Sequence, residues 1–141
     1  VYSEQLAYAP DHFEVVLNIS ITVTETNSDE DLAAALLPVK GMLSFYVGGM
    51  GAKGQNYHTK LMARMGFEEE ALRIQDLFLD GRRDEAIAAV PDLFADEISL
   101  VGTPDRIRDR LTAFEDSPVT MLNVASGTTD RLRQVAEIVL G

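Results

Sequence analysis

The sequence predicts an α/β fold, read as the C-terminal portion of a (β/α)8 TIM-type barrel with a helical insertion between its last strands. Three observations carry that reading. Two extended stretches are separated by helix-patterned sequence, which implies parallel pairing through helical crossovers. Both stretches carry small polar residues on one face, namely Asn18, Ser20, Thr22 and Asn123, whereas a parallel strand buried on both sides is usually uniformly apolar. Finally, a chain of 141 residues with so few strands falls short of the about eight strands and ~250 residues of a closed barrel. Polar groups pointing inward suit a barrel lumen that leads to a pocket. A small open sheet is the other solution the pattern leaves open.

The elements follow in order. Over residues 15–24 (VVLNISITVT), Leu17, Ile19, Ile21 and Val23 alternate with Asn18, Ser20, Thr22 and Thr24. Period two with β-branched residues predicts a strand. Ser28 with Asp31 forms the start of a helix whose stripe is Leu32, Leu36, Val39, Leu43 and Tyr46. Pro38 inside it is expected to kink or split it. Helices are predicted over about 56–64 and about 67–79, the second with Ala71, Ile74 and Phe78 inward; Gly66 and Gly81 are their stops.

A short helix over 83–90 ends at Pro91, and 97–101 (EISLV) reads as a brief strand. Thr103-Pro104-Asp105 opens the next helix with a cap, a first-turn proline and an acid at the positive dipole end. Ile107, Leu111 and Phe114 are its buried stripe. Residues 119–125 (VTMLNVA) form the last strand. Ser126-Gly127-Thr128 turns into a final helix with Leu132, Val135, Ala136 and Val139 inward. The whole of 1–141 is read as one partial domain, with the helical insertion spanning 51–97.

The bulk properties narrow the partners. A net charge of −11 repels phosphate backbones and anionic lipid, so neither nucleic acid nor a membrane surface is an expected partner. The absence of cysteine removes thiol chemistry and favours a reducing cytoplasm. No apolar run approaches the ~20 residues of a membrane span. The first residues, VYSEQLAYAPDHFE, have neither the basic start nor the apolar core of a signal peptide, and the missing initiator Met suits a processed or excised segment.

The most distinctive segment is Phe45–Gly54, FYVGGMGAKG, with Asn56 shortly after. It is joined by Gly66-Phe67-Glu68, by Ile74–Gly81 (IQDLFLDG), by Ala89–Asp92 (AVPD), by Glu97-Ile98 and by Val101–Ile107 (VGTPDRI). Through these residues the chain, from Asp11 to Val139, resembles the C-terminal half of the luciferase-like monooxygenase family, and within it the actinobacterial deazaflavin-dependent oxidoreductases. The glycine segment is fairly specific, while VGTPDRI is common across the superfamily.

The resemblance implies a barrel that binds coenzyme F420, with FMN as the alternative cofactor. It implies hydride transfer to or from an unidentified small organic substrate. This chain would supply roughly the last two strands and the insertion between them. The early strands hold much of the cofactor ring and the catalytic groups in such enzymes. No catalytic residue is therefore assigned within this chain, and the segment alone is expected to be inactive. The expected partners are further copies of the chain or a complementing N-terminal half. A different class stays open: a non-catalytic α/β subunit that pairs with another chain through its open sheet edges.

Several residues are candidates for cofactor binding. Gly48, Gly49 and Gly51 sit in a turn whose backbone N–H groups suit a phosphate or cofactor tail, and Lys53 adds a positive charge. A packing or oligomer-forming reversal is the reading preferred over cofactor contact for this turn. It lacks the GxGxxG and GKS/GKT patterns. Thr103 stands at a helix start, where it either caps or meets an anion. Ser126 and Gly127 follow the last strand, at the barrel end where phosphate sites gather. Thr24 and Glu25 share that position after the first strand. His12 and His58 have no ligand-spaced partner, so no metal site is expected.

Overall fold

In the computed structural model of the chain, residues 14–124 and 128–141 are described. They fall into two compact units. One comprises the described part of Val1–Thr26 with Leu100–Gly141; the other is Asn27–Ser99.

The first unit is α/β. The predicted strand is present as β1 (Val16–Ile19) and β2 (Ile21–Val23), interrupted at Ser20. The interruption is a change of partner. β1 pairs in parallel with β4 (Met121–Val124), with Asn18 opposite Asn123; β2 pairs in parallel with β3 (Leu100–Gly102), with Ile21 opposite Leu100. Ser20 O accepts from Leu100 N at 2.9 Å, which hands the stretch from one neighbour to the other. Parallel pairing is thus as the strand–helix alternation predicts.

Side-chain parity runs unbroken through the change. Leu17, Ile19, Ile21 and Val23 pack with Leu122, Val124 and Leu100 against Ile107 and Ile138. Those last two come from α6 (Pro104–Leu111) and α7 (Thr129–Leu140). A 3-10 turn, Thr112–Phe114, follows α6. Thr103 and Thr128 cap the two helices as N-cap residues. On α7 the inward residues are Val135 and Ile138. Leu132 and Val139, expected inward, are 51% and 44% exposed.

The second unit is helical: α1 (Asp29–Gly49), α2 (Tyr57–Arg64), α3 (Glu68–Leu79), α4 (Arg83–Ala88) and α5 (Asp92–Glu97). Ser28 caps α1 by accepting from Asp31 N at 3.2 Å. Pro38 does not split α1, which runs as one 21-residue helix with Pro38 on its exposed side. Leu36, Val39, Leu43 and Val47 form its buried stripe; Tyr46, expected there, is 37% exposed and Val47 takes its place. On α3 the stripe is Ala71, Ile74 and Leu77. Gly66 and Gly81 follow the ends of α2 and α3 at φ +96° and +79°, the left-handed geometry of a helix stop.

Two expectations shift. The strand expected over 97–101 starts at Leu100, because Asp92–Glu97 is a helical turn that buries Phe94 and Ala95. Also, α1 is long and apolar enough to cross a membrane by length and composition, with a mean hydropathy of 1.4. Its apolar stripe packs against α3, α4 and α5 within the helical unit. Lys40, midway along it, pairs with Asp92 at 2.6 Å.

Candidate functional site

The glycine segment begins inside α1, whose last residues are Gly48 and Gly49. A Cβ built on Gly48 would lie 2.4 Å from Phe78 Cβ, and one on Gly49 would lie 2.3 Å from Phe78 Cε1. The glycines let the end of α1 press onto the Phe78 side chain of α3. Gly51 meets Asn56 in the same way, its built Cβ falling 3.0 Å from Asn56 Cα.

Asn56 organises the turn. Its Nδ2 donates to Tyr46 O at 2.8 Å and Val47 O at 2.9 Å, the carbonyls left over at the end of α1. Its Oδ1 accepts from His58 N and Thr59 N at the start of α2. One buried amide therefore closes one helix and caps the next. Thr59 Oγ1 donates to Val47 O at 2.5 Å and accepts from Gln75 Nε2 at 3.1 Å. Gln75 Oε1 accepts from Gly54 N at 3.4 Å. Among the described residues no buried side-chain nitrogen or oxygen lacks a partner.

Lys53 does not stand ready for a ligand. Its Nζ lies 2.6 Å from Asp76 Oδ1. The hydrogen bond it donates to Asp76, then the Asp76 charge, holds the Lys53 ammonium above its usual pKa. An anion approaching this turn would meet a lysine already matched by a carboxylate, Gly48 and Gly49 already covered by Phe78, and Gly51 by Asn56. The geometry of Gly48, Gly49, Gly51 and Lys53 is that of a packed reversal.

Thr103 accepts from Arg106 N at 3.4 Å as the cap of α6, and the Arg106 guanidinium donates to Val101 O. Thr24 Oγ1 donates to Thr26 O at 2.7 Å, and Glu25 is exposed. Ser126, Gly127 and His12 lie outside the described residues. The glycine-turn candidates belong to the helical unit and Thr103 to the α/β unit. His58 rests edge-on against Tyr46 and Tyr57, with ring centroids 4.9 and 5.5 Å apart. No metal-holding group of His, Cys, Asp or Glu occurs among the described residues.

The helical unit also holds an apolar cleft of about 310 Å³ between α1, α2 and α5, lined by Met42, Tyr46, Leu61, Met65, Phe94 and Ile98 among others. His58 lines it as well.

The chemistry best suited to a ligand lies on the strands. The face of β1 and β4 turned away from α6 and α7 carries Val16, Asn18, Met121 and Asn123, all exposed. Ser20 and Thr22 continue it, half-buried. Asn123 Nδ2 donates to Asn18 Oδ1 at 2.7 Å. The bond leaves Asn18 Nδ2 as a donor and Asn123 Oδ1 as an acceptor, neither with a further partner among the described residues. The sequence marks this face as polar through its parity. The asparagines themselves were not singled out as candidates, although an Asn at the middle of each extended stretch was a visible signal.

Comparison with known proteins finds one family over most of the chain. The family model described as luciferase-like monooxygenase matches residues 3–133. A Mycobacterium tuberculosis protein named "Putative coenzyme F420-dependent oxidoreductase" is 34% identical over 127 residues, 90% of this chain. The chain spans 35% of that curated relative's length. No solved structure matches the chain. With the family model covering nearly all of it, the chain belongs to the luciferase-like monooxygenase family.

Proposed function

We propose that this chain is the C-terminal part of a (β/α)8 oxidoreductase that moves hydride between coenzyme F420 and a small organic substrate. The observation that carries the reading is the two-sidedness of the parallel strands. One face is apolar and covered by α6 and α7; the other presents Asn18 and Asn123 uncovered. A parallel sheet in a finished fold is covered on both faces or closed on itself. A barrel with helices outside and polar groups in its lumen supplies that arrangement. The matched relative's name supports the deazaflavin as cofactor.

When bound, the deazaflavin supplies the hydride chemistry, and the protein binds and orients it. In this chain the polar strand face fits that task better than the glycine turn. Its amide donor and acceptor are uncommitted, whereas Lys53 is matched by Asp76. The helical unit, with its apolar cleft, is the part of the chain that joins it to further copies. A cytoplasmic setting agrees with a chain free of cysteine.

The test is an absorbance and fluorescence titration with coenzyme F420. It compares this chain with the polypeptide extended to the relative's length. The extended protein is expected to bind and this chain alone to bind weakly or not at all. Binding of FMN in place of coenzyme F420 would replace the cofactor assignment. Binding of neither would leave a non-catalytic subunit of the same fold.

A further inference from the structure

We infer that the outward face of α1 is a packing surface for the remainder of the longer polypeptide, the portion the matched relative has beyond the 35% that this chain spans. The inference rests on the proposed function and goes beyond it by naming the helix that the remainder covers.

The polarity of α1 is reversed for a surface helix. From Leu32 to Met50 its charged or polar side chains are Lys40, Ser44 and Tyr46. Lys40 turns to Asp92 at 2.6 Å, with a side chain 12% exposed. Ser44 is buried, and its Oγ donates to Gly41 O at 2.9 Å. Tyr46 lines the apolar cleft. What is left outside is Ala34, Leu37, Pro38, Gly41 and Phe45, one stripe at helical spacing, with Leu37 56% and Phe45 49% exposed. A helix on the surface puts its polar residues outward, whereas one that is apolar all round is buried on every side. The inner side of α1 packs on α3, α4 and α5; the outer side is apolar and uncovered. Gly41 stands in the middle of that outer stripe. A Cβ built on it meets nothing within 4 Å, so no neighbour in this chain accounts for a glycine inside a helix. A closely approaching segment from outside does.

Size and charge decide the occupant. From Ala34 to Phe45 the stripe is one helix wide and on the order of 200 Å², well short of the about 800 Å² per partner of a stable interface. A second copy would also bring another net charge of −11 and the acidic first turn Asp29, Glu30 and Asp31. A segment of the same polypeptide is tethered, so a small apolar face is enough to hold it.

Leu37→Cys supplies the test, since the chain has no other cysteine. In this chain alone maleimide should label the thiol fast; in the polypeptide extended to the relative's length labelling should be at least tenfold slower. Leu37→Lys is the companion variant. It should lower the melting temperature of the extended polypeptide by at least about 5 °C and leave that of this chain within about 2 °C. If Leu37→Lys prevents the extended polypeptide from folding, the labelling rates of Leu37→Cys decide. Fast labelling in both polypeptides would overturn the inference. Slow labelling in this chain alone, with sedimentation showing a dimer, would give the face to a second copy and overturn it as well. Neither readout needs the cofactor. Failure to bind coenzyme F420 with Leu37 protected would cost the cofactor assignment and leave this inference standing; binding with Leu37 unprotected would do the reverse.

Discussion

Asn56 holds Val47: its Nδ2 donates to the Val47 carbonyl at 2.9 Å, from a side chain only 1% exposed. The same side chain caps α2 through His58 N and Thr59 N. Removing it leaves buried amides and carbonyls without partners, which costs more than an ordinary cap. Asn56→Ala should destabilise the helical unit by about 2–4 kcal/mol. Urea unfolding of the parent and the variant measures this. A loss below about 0.5 kcal/mol would mean water replaces the amide and the turn is not organised as described.

Gly48 and Gly49 touch different parts of Phe78, and that predicts an order. At Gly48 the obstacle is Phe78 Cβ, fixed to the α3 backbone; at Gly49 it is the ring edge, which a side-chain rotation moves aside. Gly48→Ala should therefore cost about 2–3 kcal/mol and Gly49→Ala about 1 kcal/mol. Adding Phe78→Ala should bring the two glycine variants closer together. Equal penalties, or none, would contradict the close approach.

Lys53 should prove dispensable for cofactor binding. Its ammonium faces Asp76 at 2.6 Å with both side chains more than half exposed, and such pairs contribute little to stability. Lys53→Met is expected to change neither the melting temperature nor the affinity for coenzyme F420 beyond error. A clear drop in affinity would return the glycine turn to the cofactor site.

Glu85 supplies a pH signature. Its hydrogen bond from Arg82, and secondarily the Arg82 charge, holds the Glu85 carboxyl below the ordinary glutamate range. A carboxyl lowered in the folded state stabilises above its unfolded pKa, and that contribution is lost as pH falls through the folded value. Both side chains are more than half exposed, so the effect on stability is small. NMR titration should place Glu85 below the ordinary glutamate range, and Arg82→Gln should raise it. An ordinary Glu85 in the parent would refute the pairing.

Much of the fold is legible because it is set locally. The alternation of 17, 19, 21 and 23 needs only the period of a strand, and Thr103-Pro104-Asp105 needs only helix-end chemistry. What is not legible depends on partners distant in sequence. Ser20 breaks the strand because Leu100 and Met121 claim different halves of it, about a hundred residues away in one case. Pro38 fails to split α1 because its ring faces solvent while the buried stripe continues past it. The glycine turn could be read as a ligand cradle or as packing because a missing side chain is the same signal for a phosphate and for Phe78. The paired asparagines were hidden for a related reason: their register is fixed by strand pairing, and nothing local announces it.

The chain has no cysteine, so single reporters are clean. Val16→Cys and Met121→Cys place thiols on the uncovered strand face, where the native side chains are about half exposed. Maleimide labelling rates should be compared in this chain alone and in the polypeptide extended to the relative's length. The barrel account predicts fast labelling in the short chain. It predicts protection of at least tenfold at both positions in the long one, where the remaining strands enclose the face. Equal, fast labelling in both would show that the sheet faces solvent in the complete protein, and the account would be wrong.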